Sequence, residues 1–126
     1  MVKEIHSNNV HSGTAPYSQG ISHGNIVYLA GQTPDNESGE TIGDNIETQT
    51  KQALSNIETL LSESGSSLGN IVSATVYLTD MDNLNGFNNA YGEFLPDPKP
   101  SRATVEVSRL PSSEALVEIQ VTAVRE

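Results

Sequence analysis

The apolar positions of this chain change their period several times, and each change marks an element. Residues 1–6 offer a first short strand. Residues 17–23 and 25–32 read as two strands joined at His23-Gly24-Asn25, where Gly and Asn accept the positive φ of a tight turn. In the second strand Ile26, Tyr28 and Ala30 alternate with Val27 and Leu29, so both faces are apolar and the strand is expected to be buried. Pro34-Asp35-Asn36-Glu37-Ser38-Gly39 is a turn-rich loop. The period then lengthens. Ile46, Ala53, Ile57, Leu60 and Leu61 recur at helical spacing, with Asp44 as the expected N-cap, Glu47 three residues on, and Gly65 as the stop. Residues 70–79, rich in β-branched side chains, predict a strand. Leu84, Phe87, Tyr91 and Phe94 mark the buried face of a second helix over 82–94, ended by Pro96. Two strands, 102–108 and 115–125, close the chain through Leu110-Pro111-Ser112-Ser113.

Three strands, a helix, a strand, a helix and two strands predict an α+β fold, with both helices covering one face of a mixed sheet. The other face, expected to carry Val76 and Val121, then has no third layer within the chain, and partner subunits are the simplest cover. A length of 126 residues allows one domain, spanning 1–126, around one core. With two Phe and no Trp, that core must be mainly aliphatic.

Charge narrows the function. Six basic against sixteen acidic residues give a net charge of −10, and the bases are dispersed. Nucleic-acid affinity comes mainly from clustered lysines and arginines that displace counterions, so no nucleic-acid partner is expected. There is no cysteine, and His6, His11 and His23 lack metal-ligand spacing, so no metal is expected. A nucleophile elbow and a phosphate loop are both missing, which leaves no support for a cofactor. The N-terminus has no apolar leader, and no run approaches the roughly 18 apolar residues that span a bilayer. A cytoplasmic protein without a membrane partner is the expectation.

The candidate chemistry starts at Arg102, one of three arginines, at the entry to a strand. A guanidinium fork binds a carboxylate through two parallel hydrogen bonds, which lysine cannot copy. On position alone a surface ion pair is the simpler reading. Alternation puts Glu118 on one face with Leu116, Gln120 and Thr122, opposite Val117, Ile119 and Val121, and this reads equally as the solvated face of a strand. Tyr17 follows Pro16 at a strand start, where packing is the usual role. Asn88 lies beside the apolar stripe of the second helix and fits a cap or a water-facing site equally well.

Taken together, the motifs resemble the RidA family of reactive intermediate deaminases. The landmarks run in order: Ala15-Pro16-Tyr17-Ser18-Gln19-Gly20, Ala30-Gly31-Gln32, Gln49-x-x-Gln52-Ala53-Leu54-x-Asn56-Ile57 and Val76-Tyr77-Leu78-Thr79-Asp80-Met81. Asn88-x-x-Tyr91, Arg102-x-x-Val105-Glu106-Val107, Leu110-Pro111 and Val117-Glu118-Ile119 follow. The resemblance implies a chorismate-mutase-like homotrimer with sites between subunits. It also implies hydrolysis of enamines and imines, such as 2-aminoacrylate and 2-iminopropanoate, to 2-keto acids and ammonia without a cofactor. By the same resemblance Arg102 binds the substrate carboxylate, Glu118 positions or deprotonates the attacking water, and Tyr17, Asn88 and the backbone at Gly31 line the pocket.

The chain departs from the family pattern at Ala30, where a serine is usual, and at Thr104, where a cysteine is common. Its segment between Tyr91 and Arg102, ending Leu95-Pro96-Asp97-Pro98-Lys99-Pro100, is shorter and richer in proline. A trimer that binds keto or imino acids as a regulator, without turnover, uses the same Arg102, so sequence leaves that alternative open. A ribonuclease is disfavoured by the charge, and a holdase by the lack of an extra apolar stripe.

Overall fold

In the computed structural model, which describes residues 1–125, the chain forms the expected order of elements. Residue 126, the last of the expected domain, lies outside the described residues. The elements are β1 (Lys3–Ile5), β2 (Gly20–His23), β3 (Ile26–Leu29), α1 (Ile46–Glu63), β4 (Ile71–Leu78), α2 (Leu84–Phe94), β5 (Ser101–Glu106) and β6 (Val117–Val124). They build an α+β structure with one six-stranded sheet in the order β1-β2-β3-β6-β4-β5. Every pairing is antiparallel except β4 with β5, which α2 connects as a parallel crossover. The last strand of the chain thus enters the middle of the sheet, and β5 forms an edge. Among the described residues no helix is long and apolar enough to cross a membrane.

Both helices lie on one face. The predicted stripe of α1 is buried as read: Ile46, Ala53, Ile57, Leu60 and Leu61 join Phe87 and Tyr91 of α2 in the core. Helix α1 ends where expected, with Gly65 at φ 83° and Ser66 N–H donating to Leu61 C=O. Its start is one residue later than predicted. Asn45, not Asp44, is the N-cap, and its Oδ1 accepts from Thr48 N–H at 2.8 Å.

Three expectations about the sheet are corrected. Val76 and Val121 lie under the helices, at 0% and 2% exposure, not on the open face. The register pairs Val76 with Ile119 and Ala74 with Val121, so these residues form the inner row. The open face takes the alternates instead, among them Thr75, Tyr77, Glu118, Gln120 and Thr122. Strand β3 is likewise not buried on both sides. Val27 and Leu29 face the helices, whereas Ile26 and Tyr28 are 39% and 47% exposed on the open face. Alternating apolar residues gave the strand two hydrophobic faces, but within the chain only one has a layer to pack against. Strand β2 also starts later than expected, leaving Tyr17 in the preceding loop.

A buried amide locks α1 to the approach of the central strand. Gln49 is 1% exposed. Its Nε2 donates to Gly43 C=O at 3.1 Å and Glu114 C=O at 3.0 Å, and its Oε1 accepts from Leu116 N–H at 2.7 Å. No loop or strand partner substitutes for these bonds, so their loss leaves main-chain groups unpaired beneath the helix. We expect Gln49→Leu to lower stability by about 3 kcal/mol. Urea denaturation at fixed protein concentration checks this, and a change below about 0.5 kcal/mol would show the amide to be dispensable.

Candidate active site

Glu118 sits on the central strand β6, on the open face, opposite Tyr77 of β4. Its environment is made by an irregularity in the neighbouring strand. Tyr28 pairs with Thr122, but the next pairing brings Gln32 to Ile119, so the β3 side carries one extra residue. Gln32 and Ile119 exchange main-chain hydrogen bonds of 2.8 and 3.0 Å, while Ala30 N–H turns to Gln19 C=O at 2.9 Å. This bulge swings Gly31 over Glu118. A Cβ at Gly31 would come within 2.9 Å of the Glu118 Cδ and strike the carboxylate. Glycine leaves room for the carboxylate in this position, which a Cβ would push aside; its φ is not in the left-handed region.

The result is a cleft of about 270 Å³ lined by Tyr17, Ala30, Gly31, Pro111 and Glu118. Tyr17 is 70% exposed and overhangs it from the loop before β2. The Gly31 N–H has no main-chain partner among the described residues and remains available as a donor. Burial pushes the Glu118 carboxyl above the ordinary glutamate range, the direction that makes a carboxylate a better proton acceptor.

Arg102 occupies a different place. It pairs with Ala74 across β4 and β5, and Ala74 is buried beneath the helices, so Arg102 projects on the helix side of the sheet edge. There α2 receives it. Its Nη2 donates to Asn88 Oδ1 at 2.8 Å, and its Cζ stands 5.2 Å from the Phe87 ring centroid and 5.0 Å from that of Tyr91. The two rings are 5.1 Å apart and tilted by 36°, forming a platform for the cation. Burial raises the Tyr91 phenol, and the Arg102 charge opposes that shift. Arg102 itself remains exposed, with donors left over for an incoming anion.

The five expected site residues therefore form two groups. Tyr17, Gly31 and Glu118 share one cleft on the open face, and Arg102 and Asn88 are joined at the helix-side edge. Side-chain alternation puts the two groups on opposite faces, and one chain does not unite them. Sequence reasoning missed the aromatic seat of Arg102, because Phe87 and Tyr91 read simply as core. It also missed the contribution of Pro111 to the cleft. The available signal was the four-residue spacing of Phe87 and Tyr91 around Asn88 on one helix face.

Comparison with known proteins agrees with this architecture. The family model described as Endoribonuclease L-PSP matches residues 8–125. The RutC family protein PH0854 of Pyrococcus horikoshii is 41% identical over 127 residues, covering 100% of both chains. The crystal structure of yeast Mmf1 superposes with a TM-score of 0.94 at 32% identity, covering 100% of both chains. The YjgF gene product of E. coli gives a TM-score of 0.92 at 33% identity, with 98% of this chain and 99% of that chain covered. Agreement of sequence and fold over nearly the full length means that the chain belongs to the endoribonuclease L-PSP family, within the YjgF/RidA superfamily.

Proposed function

We propose that the protein is an imine deaminase that hydrolyses 2-imino acids such as 2-iminopropanoate and 2-iminobutanoate, with their enamine tautomers, to 2-keto acids and ammonia. The observation that carries this reading is Arg102. It is an exposed guanidinium, held by Asn88 and two aromatic faces, with unused donors in an otherwise acidic chain. Such a fork is built for a carboxylate.

The second half of the reaction needs a proton acceptor close to water, which Glu118 supplies in its cleft. Since the two groups face opposite ways, the reading includes a homotrimer in which the open face of one subunit meets the edge of the next. The open face favours this arrangement. Ile26, Tyr28, Val105 and Val124 all lie on it and are 37% to 47% exposed, an apolar surface that invites a partner.

The chemistry then follows from the residues. Arg102 fixes the substrate carboxylate and holds the C=N carbon for attack. Glu118 takes a proton from water as its oxygen bonds to that carbon, and the imine nitrogen gains a proton, giving a tetrahedral carbinolamine. A second proton reaches nitrogen as the hydroxyl loses its own, the C–N bond breaks, and ammonia leaves the keto acid. The Gly31 N–H and the Tyr17 hydroxyl serve as polar lining for the water or the leaving group. A protonated imine is already a strong electrophile, so positioning and one base suffice. Thr104 in place of cysteine leaves these steps untouched.

The family model's description names a ribonuclease. A net charge of −10 with dispersed bases gives RNA little to hold, and the reading of this chain is accordingly a small-molecule hydrolase. The cytoplasm is the proposed site of action.

Three outcomes test the reading. With imines generated in situ by an amino-acid oxidase and semicarbazide as the competing trap, the wild-type protein should outrun the trap. Arg102→Ala should lower kcat/KM by about 100-fold, and Arg102→Lys should lie nearer to Ala than to wild type, because one point charge does not replace the fork. A wild-type protein that binds keto acids yet releases no ammonia would replace turnover with sensing.

The raised Glu118 carboxyl should impose an acid limb on kcat/KM, with rate rising as it ionises and levelling once ionisation is complete, and Glu118→Gln should remove that limb along with most activity. Stability should move the other way. A carboxyl raised in the folded state costs stability once ionised, so Glu118→Gln should gain on wild type as pH rises from about 4 to about 7. Equal melting shifts at both pH values would contradict the burial account.

A further inference from the structure

We propose that Lys99 is a positioning residue for Arg102, setting the guanidinium on α2 through the loop that joins the helix to β5. This rests on the reading of Arg102 as the carboxylate ligand. The sequence creates the need. Between the end of α2 and β5 the chain runs Leu95-Pro96-Asp97-Pro98-Lys99-Pro100, so every second residue lacks an N–H. A helix leaves its last carbonyls without partners, and they are usually met by N–H groups of the following turn. Here Leu95 N–H still closes on Tyr91 C=O at 3.1 Å, but the prolines beyond it offer no further donors.

The Lys99 ammonium takes over. It donates to Gly92 C=O at 3.0 Å and to Leu95 C=O, and it pairs with the Asp97 carboxylate at 3.2 Å. Its three protons therefore have three partners, all at the C-terminal end of α2 or in the loop itself. A positive charge at this end of the helix is also favoured by the helix dipole.

Three residues after Lys99 comes Arg102. Everything that orients its guanidinium belongs to α2: Asn88 by hydrogen bond, and Phe87 and Tyr91 by their rings. Strand β5 is an edge strand, paired within the chain only to β4. Pairing with β4 fixes the Arg102 backbone from Ser101 onward, and the 95–100 segment joins that strand to the helix carrying the platform, with Lys99 as the side chain that ties the segment to the helix. Displacing a substrate-holding group by about 1 Å is enough to change rates about 100-fold, so the tie matters for function beyond its value as a helix cap.

The test compares full-length wild type, Lys99→Met and Lys99→Arg, each alone and in the Arg102→Ala background. Readouts are KM, kcat, the Kd for 2-ketobutyrate, melting temperature and assembly state. Lys99→Met should raise KM and the keto-acid Kd about tenfold while kcat stays within about twofold, and Lys99→Arg should recover most of the affinity. In the Arg102→Ala background Lys99→Met should change kcat/KM less than about twofold, since its effect runs through Arg102. An unchanged KM and Kd in a less stable Lys99→Met protein would reduce Lys99 to a structural cap. An equal penalty in both backgrounds would likewise overturn the proposal.

Should Lys99→Met fail to assemble, Lys99→Gln, which keeps donors without charge, carries the same comparison. The deaminase reading fails separately, through a wild-type protein that releases no ammonia, and the keto-acid Kd still decides the role of Lys99 in that case.

Discussion

The alternation of side chains across a β-sheet is the constraint on which the rest depends. Arg102 aligns with Ala74, which is buried, and Glu118 aligns with Tyr77, on the open side. No rotamer carries one through the sheet to the other. A chemistry that needs both groups must bring a second copy of the chain to the first. On the proposed reading the apolar open face and the divided site become one requirement, because a contact that covered Ile26 and Tyr28 would also complete a pocket.

Within the chain, each half of the site is held by elements that lie far apart in sequence. The cleft around Glu118 exists because β3 carries an extra residue and because Gly31, in that bulge, has no Cβ to strike the carboxylate. Gln49 fixes the segment that leads into β6, through Glu114 and Leu116. At the other edge α2 serves two purposes. Phe87 and Tyr91 bury their rings in the core and present their faces to a cation, so the core and the seat of Arg102 share atoms. Thr104 and Ala30, the departures from the family pattern, leave both supports standing.

Much of this was legible in the sequence. The period of Ile46, Ala53, Ile57, Leu60 and Leu61 gave α1, and Gly65 gave its end, because amphipathic spacing and a left-handed stop are local signals. The phase of the sheet was harder. Val76 and Val121 are as apolar as an interface residue or a core residue, and only the pairing register shows that the helices cover them. Ile26 and Tyr28 misled for the same reason. The candidate site residues were named from ordered motifs, but their partition between two faces depends on register and could not be read. Gln49 and Lys99 were silent, since the value of a buried amide or a capping ammonium lies in main-chain carbonyls that sequence does not place.

On the proposed reading, Arg102 of one subunit works with Glu118 of another. The most direct measurement mixes two impaired proteins, Arg102→Ala and Glu118→Gln, by unfolding and refolding them together, and assays imine hydrolysis. If the pair spans subunits, some interfaces in mixed assemblies regain both intact groups, and about a quarter of wild-type activity should return for an equal mixture. If both groups act within one chain, every site keeps one lesion. Activity that stays at the level of the separate mutants, in assemblies shown to be mixed, would contradict the account.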